Sequence, residues 1–305
     1  MSSLSKAQRA DLTALFGERA NFDPRERVLY GHDIAAVPSL FKPLLGKTVP
    51  DAVVQPANEE ELLKLARWAG REGIALTPRG KASSGYGGVL PVKRGVVVDF
   101  YRMNHVVRID AAAGTVTVEP GIVWEKLDRA LAKEDLTLRL YPTSYPASTV
   151  GGWLAQGGAG IGSYEAGWFR DNVVSARAVL PDSGTRTFTG NELDLIADAE
   201  GITGFISEVT LRVQPLEALD VVAVGCPNEH DLQRFVQALV DANVPIWSLS
   251  FINPRMAELK NKAPLMEHYG HPVEERVLLP AAYITTLAFR ARDKEAVLTA
   301  LPKLL

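Results

Sequence analysis

LYPTSYPASTVGGWLAQGGAGIGSY, residues 140–164, carries no charged side chain in a protein in which 23% of residues are charged. Pro142, Pro146 and six glycines (Gly151, Gly152, Gly157, Gly158, Gly160, Gly162) make it a poor helix former and no candidate for a membrane span. Tyr141, Tyr145, Val150, Trp153, Leu154 and Ile161 give it apolar mass to bury, so it does not read as a linker. A stretch of this kind can press bare backbone against something large. Glycine has no Cβ to hold a ligand away, and it permits turns whose N–H groups converge on an anion. Thr143, Ser144, Ser148 and Thr149 add neutral hydrogen-bonding groups. The expectation is the lining of a buried guest that carries phosphates and a flat ring.

The rest of the composition narrows the setting. A length of 305 residues suggests about two domains, and 47% apolar content is ordinary for a protein with a real core. A formal charge of -3 gives no reason to expect nucleic acid or an anionic membrane surface as partner. The single cysteine, Cys226, excludes an internal disulfide and a thiolate-rich metal site, and it suits a reducing compartment. The first twenty residues lack the apolar core of a signal peptide and read as a helix. A soluble, cytoplasmic protein without a membrane span is expected.

Along the chain, residues 5–20 read as an amphipathic helix with Leu12, Leu15 and Phe16 on one side. Residues 28–47 are irregular, broken by Pro38 and Pro43. A short buried strand at 52–55 is followed by Asn58, a helix cap, and a helix over 59–72 that ends at Gly73. A strand at 74–77 completes a strand–helix–strand unit. A second glycine-rich loop, PRGKASSGYGG at 78–88, leaves that strand directly. Strands are expected at 95–100, 106–109 and 115–119, and a helix at 123–134. Beyond the neutral stretch come strands at 173–180 and 185–188, joined by a turn at 181–184, and a short helix at 193–199. Gly201-Ile-Thr-Gly204 is a third small-residue turn, running into a strand at 205–213. The texture then changes to strands at 219–224, 245–251 and 279–289 alternating with helices at 229–242, 254–262 and 294–304.

Each small-residue turn alone is ordinary turn chemistry. Together, with a charge-free run among them, they favour a dinucleotide cradle. None contains G-x-G-x-x-G, which disfavours nicotinamide dinucleotide binding through that fingerprint. Gly46-Lys47-Thr48 imitates the end of a phosphate-binding P-loop, but Phe41 stands where its first glycine is required.

In this order and spacing, several short motifs form a specific signal. They are Tyr30 to Asp33, Asp51-Ala-Val-Val-Gln-Pro56, Pro78-Arg-Gly80, Val97-Val-Asp99, Met103-Asn104, Val118-Glu-Pro-Gly121, Pro142-Thr-Ser144, Thr149-Val-Gly-Gly152 and Glu200-Gly-Ile-Thr-Gly-Phe-Ile-Ser-Glu-Val209. Over residues 25–216 the chain resembles the PCMH-type FAD-binding domain of the vanillyl-alcohol oxidase superfamily, and within it the glycolate oxidase/D-lactate dehydrogenase branch. The resemblance implies an α+β fold in which two subdomains clasp FAD. It places the FAD-binding domain at 1–216 and a short or truncated α+β substrate (cap) domain at 217–305.

By position, Arg79, Gly80, Lys81, Ala82, Ser83 and Ser84 would cradle the pyrophosphate. Pro142, Thr143, Ser144, Thr149, Val150, Gly151 and Gly152 would line the pyrophosphate and flavin, and Gly158, Gly160 and Gly162 would continue that wall. Gly204 and Ile206 would offer backbone hydrogen bonds beside adenine and ribose. The family loop reads R-G-G-G-T-S, so Lys81 and Ala82 stand where relatives carry glycine. Lys81 either places a cation near a phosphate or points to solvent. With no histidine in this loop and no cysteine in the neutral stretch, FAD is expected to be held non-covalently.

The implied activity is flavin-dependent oxidation of a small 2-hydroxy acid or related alcohol, with electrons passed to another acceptor or subunit. The alternatives are an electron-transfer subunit without its own substrate site and an NADPH-dependent flavin reductase. No residue is assigned as the catalytic base and no metal is expected. His268 and His271 read as a surface loop rather than a metal pair, with a general base facing the flavin as the alternative. His32 and His105 read as structural, Arg255 as a surface residue and Trp153 and Cys226 as core. Tyr164, Trp168 and Arg170 are candidates for the flavin's reactive edge.

Overall fold

The computed structural model describes residues 3–35, 37–38, 40–41, 43, 46–181, 184–263 and 278–304. The chain divides into two compact units, one of residues 1–160 and 168–216, the other of residues 161–167 and 217–305.

The first unit opens with helix α1 (Lys6–Phe16), where Ser5 and Gln8 form a reciprocal capping box. Strand β1 (Ala20–Asn21) and helix α2 (Pro24–Leu29) follow. Then come β2 (Ala52–Val54), α3 (Glu59–Glu72), β3 (Leu76–Arg79) and β4 (Val96–Asp99). These strands form a sheet in the order β1-β2-β4-β3, with β2, β4 and β3 parallel and β1 antiparallel at the edge. In the central strand Val96, Val97 and Val98 are fully buried, as expected of a parallel strand covered on both faces.

Helix α3 has the bounds its sequence suggests because both ends are fixed locally. The Asn58 side chain accepts from the Glu61 amide, and Gly73 turns left-handed (φ 64°) to close the last turn. Its apolar face (Leu62, Leu65, Ala66, Trp68, Ala69) packs in one core with Val54, Val98, Phe100 and Val179.

The second sheet uses β5 (Val106–Asp110), β6 (Thr115–Val118), β7 (Leu136–Leu138), β8 (Val173–Leu180), β9 (Gly184–Thr189) and β10 (Phe205–Pro215). The order is β5-β6-β10-β8-β9, and β7 pairs with the far end of β10. The two-subdomain α+β architecture expected of the first region is therefore present, one subdomain around each sheet. Glu59 of α3 ties to the second sheet through Arg177 (2.7 Å) and the buried Ser207 hydroxyl (2.7 Å). Between the strands lie α4 (Trp124–Leu131) and α5 (Val150–Gln156).

The neutral stretch departs from its expected irregularity at α5. Gly151 and Gly152 weaken that helix by propensity. Thr149 caps it by accepting from the Gly152 amide (3.2 Å), and Val150, Trp153 and Leu154 are buried. Packing decides where seven residues alone would not stay helical. Trp153 stacks on Phe169 with centroids 4.2 Å apart and meets Trp124 edge-on at 5.4 Å.

In the second unit, α6 (Ser163–Ala166), β11 (Leu219–Cys226), α7 (Glu229–Asp241), β12 (Ser248–Ile252), α8 (Pro254–Lys262), β13 (Tyr283–Arg290) and α9 (Lys294–Leu304) surround a three-stranded antiparallel sheet, β11-β13-β12. Leu232, Phe235 and Leu239 of α7 and Val297 and Leu301 of α9 close its core over Leu287 and Phe289. Tyr164 packs against the same core, and Arg290 pairs with Glu165 (2.7 Å).

Candidate functional site

Strand β3 ends at Arg79 and releases the loop 80–89, which faces α5 and the turn before β10 within the first unit. Together they line a cavity that is partly open to solvent. Its wall includes Arg79, Gly80, Lys81, Ala82, Ser83, Ser84, Ser144, Thr149, Gly151, Gly152, Gly204 and Ile206. All three small-residue turns singled out in the sequence thus meet at one place.

The remaining expected positions lie elsewhere. Pro142 is buried beneath a turn, its carbonyl accepting from the Tyr145 amide, and Thr143 is exposed. Val150 is fully buried and its amide donates to Ile122. Gly158 accepts from Phe169, Gly160 abuts the Tyr141 carbonyl, and Gly162 belongs to the second unit, where it precedes α6.

The wall also holds Asp33, Pro78, Gly88, Val89, Phe100, Pro120, Ser148, Trp153, Ala155, Gln156, Glu200 and Gly201. Several of these carried a signal, since Asp33, Pro120 and Glu200-Gly201 sit inside the quoted motifs. Ser148, Trp153, Ala155 and Gln156 belong to the neutral stretch, whereas Val89 carried no signal, because only the fold brings it there.

Small residues are a steric requirement here. A Cβ on Gly80 would stand 2.5 Å from the Thr149 hydroxyl, and one on Gly151 would stand 2.4 Å from Pro120 Cβ and 2.9 Å from its carbonyl oxygen. Ala82 takes up the left-handed region (φ 52°) that the family loop gives to glycine. The loop is pinned by Asp33, whose carboxylate accepts from the amides of Gly87 (2.9 Å) and Ala35 (2.8 Å). Ser144 donates to Ser148 (2.7 Å). The Ser84 hydroxyl is buried with no hydrogen-bond partner in the protein.

The two cations of the wall differ in their commitments. Arg79 donates to the carbonyls of His32 (3.0 Å), Leu29 (3.4 Å) and Tyr30 (3.5 Å) and lies over the Tyr30 ring at 5.1 Å. Burial pushes its pKa down, against the opposing charge of Asp99. Lys81 Nζ sits 4.8 Å from the centroid of the Tyr101 ring. Behind Arg79, the buried carboxylate of Asp99 accepts from the Tyr30 hydroxyl (3.0 Å), Gln55 (2.9 Å) and the Tyr101 amide (3.0 Å). Burial first, and then the Asp99 charge, push the Tyr30 phenol up to about 12.

Among the other candidates, Trp168 is 61% exposed, and Arg170 is held by Asp194 (2.6 Å) and the Gly190 carbonyl (2.8 Å). Trp153 is core, as expected, and also touches the cavity wall. Cys226 is a buried core residue. His105 pairs with Glu119 (2.7 Å) and Arg255 with Glu258 (2.6 Å), both at the surface. His268 and His271 lie outside the described residues. Among the described residues no cluster of three or more metal-ligating side chains occurs, and no helix is long and apolar enough to cross a membrane.

The chemistry of the lining is that of a site for a phosphate-bearing ligand. Its wall offers backbone approached without Cβ atoms, and neutral Ser and Thr side chains along the α5 side. Comparison with known proteins agrees. A family model described as "FAD binding domain" matches residues 50–189. The chain is 35% identical over 185 residues to the mitochondrial D-lactate dehydrogenase [cytochrome] of Arabidopsis thaliana, covering 58% of this chain and 32% of that protein. It is 28% identical over 207 residues to the glycolate oxidase subunit GlcD of Bacillus subtilis, covering 64% of this chain and 42% of that one. The chain thus spans less than half the length of these relatives. A solved structure of an alkyldihydroxyacetonephosphate synthase superposes with a TM-score of 0.84 over 99% of this chain and 59% of its own, at 22% identity, a likeness of fold. With sheets, cavity and relatives in agreement, the chain contains a PCMH-type FAD-binding domain, matched over residues 50–189 and related to the glycolate oxidase and D-lactate dehydrogenase oxidoreductases.

Proposed function

We propose that this chain belongs to an FAD-dependent oxidoreductase that oxidises a small 2-hydroxy acid or related alcohol and passes the electrons to another acceptor or subunit. The observation that carries the reading is the single cavity wall built from all three small-residue turns. FAD, when bound, supplies the two-electron redox chemistry, and the protein supplies binding and orientation.

The amides of residues 79–84 hold the pyrophosphate. Ser144, Thr149, Gly151 and Gly152 present neutral surface to the flavin and the pyrophosphate, and Pro142, Thr143, Val150, Gly158 and Gly160 shape the stretch that carries them. The backbone at Gly204 and Ile206 serves adenine and ribose. The cofactor is held non-covalently, since residues 79–84 contain no histidine and residues 140–164 no cysteine. The region 217–305 contributes to a substrate-binding cap. The single cysteine supports a cytoplasmic setting.

The 2-hydroxy acid follows from the names of the relatives, D-lactate dehydrogenase and glycolate oxidase. Anaerobic titration of the flavin-loaded protein tests it. Bleaching by D-lactate or glycolate supports the reading. Bleaching by NADPH alone assigns a reductase. A flavin that neither reduces assigns an electron-transfer subunit whose substrate site lies on another chain.

A further inference from the structure

We propose that Asp128 of α4 is a positioning residue for the cavity: by holding the hydroxyls of Tyr141 and Tyr145 it sets where the wall residues from Ser144 to Gly152 stand. The inference rests on the flavin reading above and adds what fixes the cavity wall from outside.

Residues 140–148 join β7 to α5 and carry no charge of their own. Chain outside helix and sheet has to be fastened by its neighbours. Asp128, half-buried on α4, supplies the charge. The Tyr141 hydroxyl donates to its Oδ1 (3.0 Å) and the Tyr145 hydroxyl to its Oδ2 (3.3 Å), so both carboxylate oxygens are engaged. Hydrogen bonds to a carboxylate are stronger than neutral ones. The two rings meet edge-on at 5.4 Å, and the Thr137 hydroxyl of β7 lies 2.7 Å from that of Tyr141. Burial pushes the Tyr141 phenol up, which keeps it a donor at neutral pH.

A second attachment runs through the backbone. The amides of Trp124 and Glu125, at the start of α4, donate to the carbonyls of Ser148 (3.2 Å) and Pro146 (3.2 Å), in place of a side-chain cap. Helix α4 therefore grips the stretch twice, by side chains at 141 and 145 and by backbone at 146 and 148. Ser144 and Ser148 stand beside these grips, joined through their hydroxyls (2.7 Å), and both belong to the cavity wall. Tyr145 follows Ser144 directly, so a shift of its ring moves a wall residue. Asp128, Tyr141 and Tyr145 themselves stand outside the wall, so their effect on a ligand passes through it.

The test is equilibrium binding of FAD, with the visible circular dichroism of the bound flavin as a second readout. Asp128→Ala is expected to weaken FAD about tenfold and to alter the dichroism. Asp128→Asn keeps an acceptor oxygen and is expected to recover most of both. Tyr145→Phe removes one hydroxyl and keeps the ring, so it decides alone if the alanine variant does not fold. It is expected to weaken FAD severalfold and to add nothing to Asp128→Ala. Glu61→Gln loosens the Arg19 pair (2.6 Å) outside the wall, controls for lost stability, and is expected to bind like wild type. Binding by Asp128→Ala and Tyr145→Phe within about twofold of wild type, or an equal loss in Glu61→Gln, overturns the proposal and leaves the flavin reading intact. A wild-type chain that binds no FAD overturns both.

Discussion

The Arg79 guanidinium donates a 3.0 Å hydrogen bond to the carbonyl of His32, a residue 47 positions earlier in the chain. With the bonds to Leu29 and Tyr30 it fastens the segment that carries Asp33, and Asp33 in turn fastens the Gly87 amide of the cavity loop. Arg79→Met leaves these carbonyls without their donor, so a loss of about 1–3 kcal/mol is expected. Urea denaturation measures it, and amide exchange at Gly87 should quicken. An unchanged urea midpoint would show the anchor to be unimportant.

Gly151→Ala puts a methyl group 2.4 Å from Pro120 Cβ and 2.9 Å from its carbonyl oxygen. Backbone lines that contact, so α5 must move away from Pro120. The expected cost is about 1–3 kcal/mol from overpacking, accompanied by weaker flavin binding because both residues line the cavity. Thermal unfolding of wild type and variant compares the two. Equal midpoints would mean that the approach is looser than described.

Ala82 holds φ at 52°, where a Cβ is unfavourable. Ala82→Gly removes that strain and frees the unfolded chain in exchange, so a net stabilisation of up to about 1 kcal/mol is expected. Guanidinium titration is the readout. A destabilised Gly variant would show that the strain is absent.

Tyr30 gives a pH signature. The unfolded phenol ionises near 10, whereas the folded one is pushed up to about 12, by burial first and then by Asp99. Between these values the unfolded chain sheds a proton that the native protein keeps, so stability falls as pH rises. The contribution is fully present below about pH 10 and lost as pH approaches about 12. Tyr141 is shifted the same way by burial. Tyr30→Phe should therefore flatten, without abolishing, the alkaline decline in unfolding free energy. Parallel wild-type and variant curves above pH 10 would contradict this.

Much of this organisation is legible in the sequence where the signal is local. Asn58 and Gly73 mark the ends of α3, and a run of three valines marks β4. The two-residue strand β1 was not legible, because its pairing with Val53 and Val54 is set by chain folding. Strand β7 is recognisable only once Val213 of β10 lies beside Leu138. Helix α5 was hidden by its glycines, whose presence is a demand of Pro120 and Thr149. In the cavity, the residue types of the 79–84 loop pointed to an anion. They did not disclose that Arg79 faces backbone carbonyls, which depends on where residues 29–32 fall.

The most direct measurement is flavin content. The purified full-length chain is incubated with FAD, freed of excess ligand, scanned for flavin absorption, and then acid-precipitated. The account predicts one FAD per folded chain, released to the supernatant by acid. A chain that is folded by circular dichroism yet retains no flavin would contradict the account, and colour that stays in the pellet would contradict non-covalent binding.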